Sequence, residues 1–210
     1  VLAFDQTGFG SRMDETRSFY DRYPQWSRMG RMVQDVSAAI DVLQAEPQVD
    51  PRHIYLFGYG LGGDVALHAA ALDPDIDGLV SIAGFTPMRS DFASVGSGGL
   101  AMRSKFCNLN PRLGLLVGRE AQTPYDYHEL LAAIAPRPAL VVSPKFARNA
   151  NPRDIRAAVD AAQDVYSLHN AKERLRLVEP ADYARLSATM QDDAIAWLHH
   201  LAHASSSDDN

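Results

Sequence analysis

The sequence predicts an α/β protein of three layers, in which helices cover both faces of a mostly parallel sheet of about five strands. Short β-rich apolar runs alternate with longer helical runs along the 210 residues. A glycine cluster that includes Gly58, Gly60 and Gly62 lies between one strand-like run and one helix-like run. Strands that are separated by helices lie parallel and are joined by right-handed crossovers. The alternation therefore favours a sheet wound with helices on both sides.

Five apolar segments are predicted as strands because each is short and ends at a turn-forming residue. The first is the run Val1–Phe4, which ends at Asp5 and a glycine turn. All five together cover residues 1–5, 53–58, 78–83, 139–143 and 174–179.

The helices are predicted from apolar stripes and from their end signals. Apolar residues recur at helical spacing from Met29 to Leu43 and predict a helix over residues 28–45, which Pro47 ends. The helix after the glycine cluster ends near Asp73, and a short one covers His128–Ile134.

Two further helices are marked by their N-caps. Asn151 followed by Pro152 has the pattern of an N-cap with proline at the first helical position. Ser187 is predicted to cap the final helix.

The domain prediction is one domain over residues 1–204, followed by a flexible tail at 205–210. Residues 11–26 are predicted as loop. Residues 86–126 show no sustained period and are rich in glycine near Gly98, so they are predicted as a lid-like insertion.

Composition narrows the classes of function. Hydrophobic residues make up 46% and charged residues 22%, and the formal net charge is −6. No stripe of Lys and Arg neutralises phosphates, so nucleic acid is not expected as a partner. The single cysteine, Cys107, excludes an intrachain disulfide and a Cys-cluster metal site. We expect no metal and no cofactor.

The expected location follows from what the sequence does not contain. No apolar run approaches the roughly 20 residues of a membrane span. A soluble protein is expected, with the cytoplasm favoured. A start at Val1 rather than methionine suggests a fragment or processed product and leaves the compartment open.

Three segments in order resemble the α/β-hydrolase superfamily, in particular its dienelactone-hydrolase and acetyl-xylan-esterase-like members. Gly58–Gly62 has the spacing of the G-x-S-x-G nucleophile elbow, a strained turn between strand and helix. Val1–Arg12 is similar to the strand and D-x-x-G-x-G turn that precede it, and Pro136–Pro144 resembles the next-to-last strand. The resemblance covers about residues 1–200 and implies a partial α/β-hydrolase fold.

The resemblance also implies where a catalytic triad belongs, and this sequence departs from it. Gly60 occupies the position of the nucleophilic serine. The segment 145–151, where the acid is expected, has no carboxylate, and 179–185, where the base is expected, has no histidine. The prediction is a degenerate triad and no conventional serine esterase. Of the oxyanion donors, the Leu61 backbone N–H remains.

The predicted pocket lies at the carboxyl ends of the strands, where open α/β sheets bind ligands. Leu61 and Gly62, at the start of the elbow helix, are predicted to bind an anion. Asp5 and Glu179 could act as paired carboxylates, but the simpler interpretation is that they cap turns and form ion pairs. The predicted pocket-lining residues are Asp5, Tyr59, Phe85, His128, Lys145, Glu179, Asp182 and Tyr183.

Three functions stay open. The first is a homologue that has lost its esterase chemistry. The second is an active carboxylic-ester or carbohydrate esterase, or a hydrolase that uses unrecognised residues. The third is a structural and oligomerising domain. The expected ligand is a small-molecule ester or carbohydrate. Because the resemblance leaves the first three strands of the family's sheet unfilled, an exposed strand edge is expected, and with it a homo-oligomer. The alternative is a monomer in which the strand at residues 1–5 pairs directly with the strand at 53–58.

Overall fold

The computed structural model describes residues 1–89 and 99–205, and it contains a parallel four-stranded sheet. The spatial order is β1-β2-β3-β4, the same as the order along the chain. The strands are β1 Tyr55–Tyr59, β2 Gly78–Ile82, β3 Ala139–Val142 and β4 Leu175–Val178. The predicted α/β class with a parallel sheet is confirmed.

Seven helices connect and flank the strands within the described residues. They are α1 Phe19–Arg22, α2 Arg28–Ala45, α3 Leu61–Leu72, α4 Leu100–Lys105, α5 Tyr127–Ile134, α6 Pro152–Leu168 and α7 Ala188–Ser205. The predicted bounds of α2 are those observed, and Ser27 caps it by accepting a hydrogen bond from Gly30 N at 2.9 Å. Asn151 caps α6 as predicted, accepting from Arg153 N at 3.1 Å.

The predicted strand at residues 1–5 is wrong, and within residues 1–89 and 99–205 the sheet has four strands rather than five. Val1, Leu2 and Phe4 are exposed, and no strand pairs with them within the described residues. A short apolar run forms a strand only where a neighbouring strand accepts its backbone hydrogen bonds. Here Asp5 instead holds the following turn, because its carboxylate accepts from Ser11 N at 2.8 Å.

Two segments predicted as irregular contain short helical turns. Residues 11–26 include part of a 3-10 helix, Gly10–Thr16, and the helix α1. The predicted lid-like insertion, residues 86–126, contains α4 and the 3-10 helices Phe106–Asn108, Pro111–Leu116 and Glu120–Gln122. Its residues 90–98, like the tail residues 206–210, lie outside the described residues.

The sheet separates two hydrophobic clusters, which gives the three layers. On one face, Leu79 and Val141 pack in the larger cluster with residues of α2, α3, α5 and α6. On the other face, Val80 and Leu140 pack with α7 through Trp197. Alternate residues of β2 and β3 thus serve opposite faces, as expected for strands buried on both sides.

The outer edge of β1 is open within the described residues. β1 pairs only with β2, and Phe57 is exposed on it. An open edge favours association with another chain, so the expected homo-oligomer stays a prediction. None of the described helices is long and apolar enough to cross a membrane.

Candidate functional site

A cavity of about 480 Å³ opens at the carboxyl ends of the strands. Its lining comes from the segments that follow all four strands and from α4 beside them. This is the edge at which open α/β sheets bind ligands. The lining residues are Tyr59, Gly60, Leu61, Asp64, Ala83, Gly84, Phe85, Thr86, Met102, Arg103, Phe106, Leu109, Tyr127, Val141, Val142, Ser143, Pro144, Phe146, Ala147, Arg148, Asn149, Ala150, Ile155, Tyr183 and Ala184.

The turn between β1 and α3 has the predicted strained shape. Gly60 has φ 53° and ψ −120°, so its predicted positive φ is confirmed. A Cβ at Gly58 would lie 2.2 Å from the backbone oxygen of Gly62, which explains why glycine is needed there. A Cβ at Gly60 would meet no heavy atom within 4 Å. The turn therefore has room for a side chain at the nucleophile position, and the residue present is glycine.

A buried ion pair lies beside this turn. The side chains of Asp64, in the first turn of α3, and Arg103, on α4, are 7% and 10% exposed. Arg103 Nη1 donates to Asp64 Oδ2 and to the hydroxyl of Tyr127. The Tyr127 hydroxyl in turn donates to Asp64 Oδ1 at 2.8 Å. Both carboxylate oxygens of Asp64 therefore have partners.

The electrostatics of the pair favour its charged form. Burial by itself raises the pKa of Asp64, but the positive charge of Arg103 and a hydrogen bond from His68 outweigh it and lower that pKa to about 2. Burial likewise opposes the charge of Arg103, and Asp64 more than offsets it, so the pKa of Arg103 is raised. Burial raises the pKa of Tyr127 well above its ordinary value, so its hydroxyl stays protonated.

His68 lies behind the ion pair and does not line the cavity. Its Nδ1 is 2.9 Å from the backbone oxygen of Asp64, and its Nε2 is 3.0 Å from the Tyr125 hydroxyl. The ring also makes edge contacts with Tyr125 and Tyr127, at centroid distances of 5.6 and 6.1 Å. With both nitrogens occupied, His68 supports the network instead of facing a ligand.

One edge of the Arg103 guanidinium has no partner. The buried nitrogens Nε and Nη2 make no hydrogen bond within residues 1–89 and 99–205, and Arg103 lines the cavity. The Ser143 hydroxyl, just after β3, is also buried, unpartnered and in the lining. Buried donors are normally hydrogen-bonded. These three atoms are closed to a water-sized probe, so they lie within the wall of the cavity and not at its surface.

Four of the predicted site residues meet at this cavity besides Gly60: Tyr59, Leu61, Phe85 and Tyr183. Tyr59 donates its hydroxyl to the Ala184 backbone oxygen at 2.7 Å. The Phe85 ring stacks on that of Tyr127 with centroids 4.5 Å apart.

The remaining candidates lie outside the lining. Asp5 accepts hydrogen bonds from Ser11, Glu179 forms an ion pair with Arg156 at 2.5 Å, and Asp182 forms one with Arg185 at 2.9 Å. These are the turn-capping and ion-pairing roles of the simpler interpretation. Three others do not line the cavity either: Gly62, His128 and Lys145.

Sequence reasoning missed Asp64, Arg103 and Ser143. A signal existed for Asp64, because it is the one acidic residue inside the otherwise apolar run of α3. A carboxylate on a buried helix face requires a partner. Arg103 had no such signal, since it lies in the segment without periodicity.

The chemistry available to the cavity is that of hydroxyls, the Asp64–Arg103 ion pair, the guanidinium of Arg148, the amide of Asn149 and backbone donors. No histidine or cysteine of the described chain lines it. No group of three His, Cys, Asp or Glu residues within the described ranges is arranged to hold a metal ion. The hydroxyls come from Tyr59, Thr86, Tyr127, Ser143 and Tyr183.

Relatives of known structure share this fold. A glucuronoyl esterase from Solibacter usitatus superposes with a TM-score of 0.72 at 21% identity, over 83% of this chain and 49% of that chain. A promiscuous CE15 esterase from a marine bacterial metagenome gives 0.75 at 20% identity, over 93% and 55%. This chain thus spans about half the length of these proteins, and the likeness concerns the fold.

Two comparisons of sequence add to this. A polyketide transferase from Stachybotrys chlorohalonatus (strain IBT 40285) is 33% identical over 104 residues, which are 48% of this chain and 35% of that protein. The family model described as "Glucuronyl esterase, fungi" matches residues 1–169. The resemblance to α/β-hydrolases therefore holds at the level of carbohydrate-esterase-like hydrolases, and the family model that matches is the glucuronyl esterase one. The chain belongs to the glucuronyl esterase family.

Proposed function

We propose that this chain is a ligand-binding domain of the esterase fold, with a degenerate triad, which holds a small-molecule ester or carbohydrate without serine catalysis. One observation carries the proposal. The residue at the strand–helix turn is Gly60, which has no side chain to attack a carbonyl, although the turn has the strained geometry and the free space for one.

The surroundings of the turn support the same conclusion. A serine mechanism needs a nucleophile, a base that accepts its proton and an acid that orients the base. The described lining of the cavity has no histidine. Asp64, the lining carboxylate, is engaged by Arg103 and Tyr127, and the imidazole of His68, 3.3 Å from its Oδ1, lies outside the lining. The elbow therefore supports binding at the start of α3 better than it supports acyl transfer.

Ester hydrolysis is the second candidate, and the comparisons favour it. The family match and the structural neighbours are esterases. In the described chain, Ser143 is the serine whose hydroxyl is buried and unpartnered in the cavity lining. An active enzyme would use a hydroxyl of the lining, and a guanidinium of the lining, such as that of Arg103, would stabilise the oxyanion.

Turnover of esters by the purified protein separates the two functions. We expect wild-type protein to release p-nitrophenol from p-nitrophenyl acetate, and methanol from the methyl ester of glucuronic acid, at the rate of the protein-free blank. The variant Ser143→Ala is the matched control. Turnover that is well above the blank in wild type and is lost in Ser143→Ala would reject the binding function and establish the second one.

A further inference from the structure

The mouth of the cavity is lined by large apolar and aromatic side chains that are open to solvent in the described part of the chain. We call them the apolar rim, and their exposed fractions run from 38% to 65%. They are Tyr59, Met102, Phe106, Phe146 and Tyr183. Exposed apolar side chains that are grouped together mark a place where an apolar partner binds. Because all five line one cavity, that partner is small enough to enter it.

One side of the apolar rim is held in place by contacts between the segments that follow β1, β3 and β4. Phe146 N donates to the Asp182 backbone oxygen at 3.0 Å, and the rings of Phe146 and Tyr183 lie 5.6 Å apart. The Tyr59 hydroxyl donates to the Ala184 backbone oxygen at 2.7 Å. Since these side chains are already positioned, a ligand loses little affinity to ordering them.

The other side of the apolar rim comes from α4 and the residue that follows it. Phe106 N donates to the Met102 backbone oxygen, and the buried ion pair of Arg103 with Asp64 joins α4 to α3. Methionine is flexible and fills irregular gaps, so it adapts to the shape of a bound chain. The apolar rim therefore has one rigid side and one adaptable side.

The apolar lining continues below the rim. Phe85, Leu109, Val141 and Ile155 line the cavity and are each at most 8% exposed. The cavity volume of about 480 Å³ is within the range of small-molecule sites. A hydrocarbon group that enters past the rim thus stays in contact with apolar side chains.

The polar side chains of the lining offer few partners to a sugar. Asp64 and Tyr127 hydrogen-bond to each other at 2.8 Å, and the Ser143 hydroxyl is closed to a water-sized probe. Arg148 and Asn149 line the cavity and are exposed, which places them at its mouth. A sugar ring carries hydroxyls on most of its carbons, and each one that is buried without a partner costs its desolvation. The lining therefore suits a ligand that is polar at one end only.

We propose that the cavity binds the aliphatic acyl chain of an ester, with the chain between the two sides of the apolar rim and the ester group at the mouth beside Arg148. This inference rests on the proposed function, in which the cavity binds its ligand without hydrolysing it. It goes further in that the ligand is an aliphatic ester and not a carbohydrate.

Calorimetry on the full chain with methyl esters of increasing chain length tests the ligand class. Methyl butanoate, methyl hexanoate and methyl octanoate carry the same ester group on chains that grow by two carbons. Because each methylene that is buried adds a similar free energy, we expect the affinity to rise about tenfold at each step. An affinity that does not rise with chain length, or no binding of methyl octanoate, would overturn the proposal.

Two ring-shaped esters are the further arms of this titration. The methyl ester of glucuronic acid and methyl benzoate are each expected to bind about tenfold more weakly than methyl octanoate, or weaker still. Binding of the glucuronic ester as tight as that of methyl octanoate would show a carbohydrate site, and equally tight binding of methyl benzoate would show an aromatic site. Either result would overturn the aliphatic assignment.

Three serine variants test the apolar rim. Phe106→Ser and Phe146→Ser, on opposite sides of the rim, are each expected to weaken binding of methyl octanoate by roughly threefold to tenfold. Leu115→Ser is the matched control, because Leu115 is also exposed and apolar and lies outside the lining. An effect below about twofold is expected for it. Equal effects of all three would overturn the assignment to the rim, and Phe146→Ser decides where Phe106→Ser folds poorly.

The same samples keep the two proposals apart. Release of methanol from methyl octanoate, followed by NMR, would reject the binding-only function. The same affinity for all three chain lengths, with the esters intact, would reject the acyl-chain site alone.

Discussion

Replacing Asp64 with asparagine is expected to destabilise the folded protein by about 3–5 kcal/mol, the usual cost of removing one partner of a buried ion pair. Arg103 would remain buried, 10% exposed, without a counter-charge. Asparagine has nearly the same shape as aspartate, so the loss reports charge and hydrogen bonding more than packing. Urea unfolding followed by circular dichroism measures it.

A double variant that removes both charges of the ion pair is the control for Asp64→Asn. Asp64→Asn combined with Arg103→Met removes both charges, and we expect it to regain most of the stability, because an apolar pair often replaces a buried ion pair without loss. Asp182→Asn is the matched surface control, since Arg185, the partner of Asp182, is largely exposed. A single variant Asp64→Asn as stable as wild type would contradict the buried pair.

The ion pair of Asp64 and Arg103 also makes the stability of the folded protein depend on pH. The folded-state pKa of Asp64 is about 2, below its ordinary value of 3.8. A carboxyl whose pKa is lowered on folding stabilises the protein above its unfolded pKa, and this contribution is lost as the pH falls through the folded value. In wild type, the stability is therefore expected to fall between about pH 4 and pH 2, and Asp64→Asn is expected to reduce that fall.

Gly60→Ser is expected to yield a folded protein with no esterase activity above the blank. There is space for the side chain, because a Cβ at this position meets nothing within 4 Å. A serine hydroxyl without a base is a weak nucleophile at neutral pH. In serine hydrolases, loss of the base alone costs on the order of 10⁶ in kcat. The described lining of the cavity offers no histidine to replace it.

Gly60→Ala is the control that separates the effect of backbone strain at residue 60 from the effect of a hydroxyl group there. Both variants place a side chain at φ 53°, a strained conformation that costs about 1–3 kcal/mol. We therefore expect equal losses of stability and, on p-nitrophenyl acetate, equal inactivity. A burst of p-nitrophenol from Gly60→Ser and not from Gly60→Ala would show that a base lies near the turn.

Where the sequence predicted the fold well, the signal was local. The apolar stripe from Met29 to Ile40 gave the bounds of α2, because a helix with one buried face repeats at helical spacing whatever it packs against. The turn at Gly60 was predictable for the same reason, since its backbone geometry depends on residues close in sequence.

The features that the sequence predicted wrongly or missed depend on contacts between segments that are distant in the chain. Val1–Phe4 has strand-like residues but no neighbouring strand, and nothing within the run itself signals this. The pairing of Asp64 with Arg103 joins α3 to a helix in a segment without periodicity. In α7, Ile195 is exposed, whereas Trp197 is buried against β2 and β3.

The central claim, that the cavity has no activated serine, is tested most directly by labelling the wild-type protein with a reactive fluorophosphonate. Such probes form a covalent bond with a serine hydroxyl that a neighbouring base has activated. Intact-mass spectrometry after incubation is expected to show the unmodified mass of 23.0 kDa. A stoichiometric adduct that maps to a serine of the cavity, Ser143 above all, would contradict the claim.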